Sequence, residues 1–250
     1  MDILSALFRW LHVFAGIVWI GMLYFFNWVN GPFAGTMDAD TKKKVVPELM
    51  PRALYWFRWG AAWTWVTGVL LLGLVFYMGE RAVFEGGAPL TAPAGMMIGL
   101  VFLAPFIYDA LQKSALGKNP KAFGAAAFAA VAAVVILMAR WAGFSYRGFN
   151  IHLGVMFGTI MAFNVWFRIW PAQQKIITAT KNGEAPDAAL VALAGLRSRH
   201  NTYLSVPLVF MMVSQHATWA ANPIALALIV PAGWAIVYHI YSLAPKVKGF

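Results

Sequence analysis

Cysteine is absent from the 250 residues. That excludes disulfides, thiolate-held zinc, iron–sulfur clusters and covalently attached haem c within them. It carries no information about redox compartment. Charge is the second scarcity: Asp, Glu, Lys and Arg make up only 11% of the chain, where ordinary globular domains carry about a quarter. Gly-rich phosphate loops, HExxH and nucleophile-elbow motifs are missing too, as are internal repeats and low-complexity linkers. Against this, 61% of residues are hydrophobic and the mean hydropathy is +0.68. So little charge cannot cover a water-facing surface, which rules out a soluble enzyme and a disordered chain. Acidic groups are the scarcest, 9 against 19 basic ones, for a formal net charge of +10. In a membrane chain that excess records orientation rather than a nucleic-acid partner.

A helix crossing the hydrocarbon core needs roughly 20 mostly apolar residues. Seven stretches qualify, at about Ile3 to Val29, Ala53 to Met78, Pro93 to Leu111, Ala122 to Trp141, Phe149 to Trp170, His200 to Trp219 and Ile224 to Leu243. The expected fold is all-α, a polytopic bundle of about seven transmembrane helices forming one domain over residues 1–250. The first stretch is too long for a signal peptide, starts on Asp2 and lacks a small-residue cleavage site, so it reads as a retained helix. Tryptophans such as Trp56, Trp59, Trp141 and Trp170 cluster near span ends, as an interfacial aromatic belt requires.

Basic residues sort by side. Lys42, Lys43, Lys44 and Arg52 fall between spans one and two; Lys113, Lys118 and Lys121 between three and four. Arg168, Lys175, Lys181, Arg197 and Arg199 fall between five and six, and Lys246 and Lys248 in the tail. The opposite side shows only Arg9, Arg81, Arg140 and Arg147. The positive-inside rule then places the amino terminus outside and the carboxyl terminus in the cytoplasm. The long connection from Pro171 to Arg199 contains an Ala/Leu-rich stretch, Asp187 to Leu196, that reads as a short interfacial helix after Pro186.

All five histidines fall in or at the ends of predicted spans, where polar groups are costly. His12, His152 and His216 sort to the outer half; His200 and His239 sort to the inner half. Two facing imidazoles can clamp a b-type haem axially, and Gly16, Gly154 and Gly158 leave room for a macrocycle. Two of His12, His152 and His216 are the expected iron ligands, with His239 available to a second haem. Arg9, Arg140 and Arg147 are on the side where propionates would lie. Interhelical hydrogen bonding accounts for one or two of these histidines equally well. The 12 methionines lack the regular spacing of a copper site and read as packing.

Arg58 in span two and Asp109 in span three lie one or two turns from the basic side. They read either as a buried ion pair or as an anion site, with aromatic faces nearby for a flat ring. Span six opens on Arg199-His200-Asn201-Thr202-Tyr203, followed by Ser205, and is expected to face a polar cavity.

The segments Leu11-His12-Val13-Phe14-Ala15-Gly16-Ile17-Val18-Trp19-Ile20-Gly21, Trp56-Phe57-Arg58-Trp59-Gly60, Asn150-Ile151-His152-Leu153-Gly154 and Arg199 to Pro207 resemble the membrane domain of bacterial integral-membrane, cytochrome-c-linked urate oxidases. The resemblance covers nearly the whole chain, and the span-six run is its most specific part. It implies a multi-pass protein of the bacterial inner membrane that oxidises urate to 5-hydroxyisourate and passes electrons to cytochrome c. Full-length members carry a cytochrome c domain after the membrane part. These 250 residues hold no haem c attachment site, so a working member is expected to use a separate cytochrome c or another periplasmic acceptor. On this reading a small planar anion binds near Arg58, with Asp109 or His200 taking the proton. Two alternatives stand beside it. One is a di-haem cytochrome b or quinol-handling electron-transfer subunit. The other is a non-redox accessory subunit of a respiratory or photosynthetic complex, or a copper-handling membrane protein.

Overall fold

The computed structural model describes residues 2–79 and 82–247; Arg81 and Lys248, used above for orientation, lie outside the described residues. Seven long helices run through it: α1 (Ile3–Thr36), α2 (Ala39–Gly79), α3 (Ala92–Lys113), α4 (Pro120–Arg140), α5 (Tyr146–Asn182), α6 (Ala188–Val213) and α7 (Pro223–Leu243). Six are long and apolar enough to cross a membrane, making this a multi-pass membrane protein. The seventh, α6, carries the polar run from Arg197 to Ser205, which lowers its hydropathy. No β-strand occurs among the described residues; Phe84 and Phe144 form one isolated antiparallel bridge.

Short polar side chains at the boundaries start these helices by accepting hydrogen bonds from backbone N–H groups that lack helical partners. Asp38 accepts from Thr41 N, Thr91 from Ala94 N, Asn119 from Ala122 N, Ser145 from Gly148 N, Asp187 from Ala189 N and Asn222 from Ile224 N. The bonds from Thr41 hold the Asp38 carboxyl below the usual carboxylate range. Two expected connections are therefore helix instead of loop. The Asp38 cap starts α2 at Ala39, so Lys42, Lys43, Lys44 and Arg52 sit on a helix that runs through Pro47 and Pro51 into the span. Helix α5 continues to Asn182 and stops at Gly183, whose φ of 77° suits only a residue without a Cβ. The stretch from Asp187 to Leu196 is the first third of α6 and not a separate interfacial helix.

Helix α5 is the centre of the bundle. In its most apolar window 61% of residues are buried, against 11% for α1. It packs on α2, α3, α4 and α6, whereas α1 packs chiefly on α2 and α4 packs chiefly on α7. Three π-helical segments interrupt the long helices: Phe25–Asn30 in α1, Leu72–Gly79 at the end of α2 and Val165–Ile169 in α5. Each widened turn shifts the side-chain register, and each carries a polar residue used below: Asn27, Tyr77 and Arg168. Such bulges occur often at functional sites.

Without water to expel, helices in lipid are held by close packing and by polar contacts. Trp19 of α1 is 1% exposed because Gly60 of α2 lets the backbones approach. A Cβ at Gly60 would lie 3.1 Å from the Trp19 backbone nitrogen. Gly233 of α7 likewise receives the Pro207 ring of α6. Overpacking of this kind costs about 1–3 kcal/mol. Gly60→Leu is therefore expected to lower thermal stability in detergent by that amount, whereas Gly73→Leu, where nothing lies within 4 Å of the new Cβ, leaves it nearly unchanged.

Candidate functional site

The strongest electrostatic feature is a carboxylate shared among three cations. Asp109 of α3 accepts from Arg168 Nε at 2.8 Å and Nη2 at 2.6 Å, and from Arg197 Nη2 at 2.7 Å. Lys113 Nζ is 2.8 Å away. Arg197 is fully buried, its guanidinium 4.9 Å from the Tyr108 ring centroid. Asn164 and Asn201 extend this cluster between α5 and α6 by a 2.9 Å hydrogen bond, and Asn201 donates onward to Met161 O. Arg58 does not join it, so the expected Arg58–Asp109 pair is not formed. The Arg58 guanidinium lies 3.9 Å over Trp170, flanked by Trp166 and Tyr55. An aromatic face offers a cation a partner without a second desolvated charge. Arg58 thus clamps α2 to the lower part of α5.

The five histidines engage different partners. His152 is completely buried: Nδ1 bonds to Gly148 O at 2.8 Å, and Nε2 to the Tyr77 hydroxyl at 2.7 Å. Because a carbonyl only accepts, Nδ1 carries the proton and Nε2 accepts from Tyr77. His12 bonds through Nδ1 to Thr67 Oγ1 at 3.1 Å. The Thr67 hydroxyl itself donates to Trp63 O, so His12 Nδ1 is the donor. His200 bonds through Nδ1 to the Tyr108 hydroxyl at 2.7 Å and stacks on Phe123. His216 is not in span six: α6 ends at Val213 and His216 lies exposed in the following turn. His239 is exposed on α7.

A bis-histidine haem b requires two imidazoles with facing, unengaged nitrogens. His152 has neither nitrogen free, His216 is outside the helices, and neither of the two clefts described is lined by a histidine. His152, bonded through both nitrogens, and His216, outside the helices, do not present facing axial nitrogens as they stand. Among the described residues there is also no group of three His, Asp or Glu arranged to hold a metal ion.

A different arrangement suits a small ligand. A cavity of about 650 Å³ opens at the basic end between α1, α2, α5, α6 and α7. Its polar lining is Asn27, Asn30, Gln173, Ser198 and Arg199, and Phe26, Phe57 and Tyr241 supply flat walls. Phe26 and Phe57 meet edge to face at 5.4 Å. Asn27 is fixed from three helices: it donates to Leu23 O and Ser198 Oγ, and accepts from the Tyr241 hydroxyl at 2.9 Å. Arg199 is exposed, 5.1 Å over the Tyr241 ring, and no carboxylate pairs with it among the described residues. One helix turn therefore carries a spent cation, Arg197, and an unspent one, Arg199. Of the polar run that opens span six, Arg199 lines this cavity, joined by Ser198 just before the run; Asn201, Thr202 and Ser205 are instead buried between helices. Asn27 and Asn30 were overlooked in the sequence, although asparagines inside an apolar span are themselves a signal. Arg58, Asp109 and His200 do not line this cleft.

The stabilising role of Asp109 has a direct test. Removing one partner of a buried ion cluster costs about 3–5 kcal/mol, because the other charge stays buried and unpaired. Asp109→Asn is expected to lower stability in detergent by that amount. Lys113→Gln, at an exposed member of the same cluster, should cost no more than about 1 kcal/mol.

The family model described as urate oxidase N-terminal matches residues 33–249. Comparison with curated proteins and comparison with solved structures each found no match. The matched stretch contains Gln173, Ser198, Arg199 and Tyr241 of the cleft, with Arg58, Asp109, His152 and His200, and excludes His12, Asn27 and Asn30. With most of its length inside that match, the chain belongs to the urate oxidase N-terminal family.

Proposed function

We propose that this chain is the urate-handling membrane part of a urate-oxidising system in a bacterial inner membrane, and that urate binds as a planar monoanion in the cleft beside Arg199. The observation that carries this reading is the pairing, in one cavity of about 650 Å³, of a guanidinium that has no carboxylate partner among the described residues with amide side chains and aromatic walls. A guanidinium fork matches an anionic planar edge. The amides of Asn30 and Gln173 offer both donors and acceptors to the purine rim. Phe26 and Phe57 supply apolar walls for its faces.

Oxidation of urate to 5-hydroxyisourate removes two electrons and two protons and adds one water. The cleft supplies binding, orientation and access to water. Each urate reduces two equivalents of a one-electron acceptor such as cytochrome c, which lies outside these 250 residues. Arg58, held against Trp170, and Asp109, occupied by three cations, serve packing in this reading and not the reaction. No redox step is assigned to the histidines.

Binding of urate to detergent-purified protein, followed by titration calorimetry, tests the site. A charge-assisted hydrogen bond is worth about 1.5–3 kcal/mol, so Arg199→Ala is expected to weaken binding tenfold or more. Arg58→Ala should leave the affinity within about threefold, since its charge is spent on Trp170. Loss of binding in Arg58→Ala with full binding in Arg199→Ala would move the site to the Trp170 cage.

A further inference from the structure

A second cleft, of about 630 Å³, lies between α3 and α5 at the same end of the bundle and faces outward. Phe106, Asp109, Ala110 and Lys113 line one wall at positions that share a face of α3. Phe163, Phe167 and Arg168 line the other. The rings of Phe106 and Phe163 meet at 5.4 Å and those of Phe163 and Phe167 at 5.1 Å, forming a continuous apolar wall. Phe106 is 60% and Phe167 61% exposed. In a membrane-spanning helix that exposure is to acyl chains.

The rim of the groove is cationic. Three cations share the carboxylate of Asp109, which leaves a surplus of two positive charges among the described residues of the cluster. Lys113 stands in the last turn of α3, where the helix leaves the hydrocarbon, and its side chain is 61% exposed. An ammonium has three donors, of which the bond to Asp109 takes one. Arg168 spends its Nε and Nη2 on Asp109 and its Nη1 on Phe167 O, and remains 26% exposed. A surplus of positive charge at the headgroup level stands directly above an aromatic groove at acyl-chain level. A chemically matching occupant has an anionic head and an apolar tail on one molecule. Zwitterionic lipids bring no net charge to such a rim, and soluble anions make no use of the groove.

We propose that this groove is a binding site for one anionic phospholipid, its phosphate held by Lys113 and the edge of Arg168 and one acyl chain lying along Phe106, Phe163 and Phe167. Basic pockets between transmembrane helices hold lipid headgroups in this way, and a single lysine contributes about fivefold in affinity. The site is separate from the Arg199 cleft and independent of the urate reading.

Delipidated protein in a non-ionic detergent, titrated with phosphatidylglycerol and with phosphatidylcholine of identical chains and followed by native mass spectrometry, tests it. The expected result is one tightly retained phosphatidylglycerol per chain, with at least fivefold preference over phosphatidylcholine. Lys113→Gln should reduce that preference to twofold or less. Phe167→Ala should weaken both lipids without altering the preference, and Lys118→Gln, outside the groove, should change nothing. Equal retention of the two lipids, or a preference untouched by Lys113→Gln, would overturn the proposal. So would competition by millimolar inorganic phosphate that displaces phosphatidylglycerol fully, since the occupant would then be a free anion.

Discussion

One carboxylate organises the interior of this bundle. In hydrocarbon an unpaired charge is expensive and water is not available to compensate it, so a buried arginine needs a counter-charge within reach. Asp109 supplies it to Arg197 and, from the other side, to Arg168. Three helices meet at that point: α3 brings the carboxylate, α5 brings Arg168 from its π-helical turn, and α6 brings Arg197. The asparagine bonds between α5 and α6 continue the same contact toward the middle of the membrane. Helix α6 can therefore carry its polar run from Arg197 to Ser205 and still sit inside the bundle.

That polarity has a functional consequence. Once the Arg197 side of α6 is fixed on Asp109, Ser198 and Arg199 turn toward α1 and α7. There Asn27 and Tyr241 complete the wall of the cleft. The helix thus works as structural glue on one face and as ligand surface on the next. What separates the two roles is whether the positive charge has been spent. Arg197 and Arg168 are both hydrogen-bonded to the Asp109 carboxylate, and Arg58 is stacked on tryptophan. Arg199 lies over the Tyr241 ring and pairs with no carboxylate among the described residues, which suits it to the anion proposed above.

The sequence and the structure agree where a strong local signal exists. The apolar stretches and the all-α class follow from composition and spacing. Prolines and a lysine run at Lys42 to Pro51 imitate a loop, yet the Asp38 cap and helical continuity carry α2 through them. Partner choice was not legible. Five histidines sort by depth, but depth says nothing about which neighbour each ring bonds: Tyr77 bonds His152, Thr67 bonds His12 and Tyr108 bonds His200. Arg58 and Asp109 lie at similar depth and still find other partners, because which helices are neighbours is a tertiary fact. His216 was misplaced for a simpler reason: α6 stops three residues before it.

The location of urate on the protein is the central claim, and a structure of the protein saturated with urate measures it directly. A flat density between Phe26, Phe57 and Tyr241, with one edge within hydrogen-bonding distance of Arg199, is the result this account requires. Density against Arg58 and Trp170 instead, or none in the cleft at saturating urate, would contradict it.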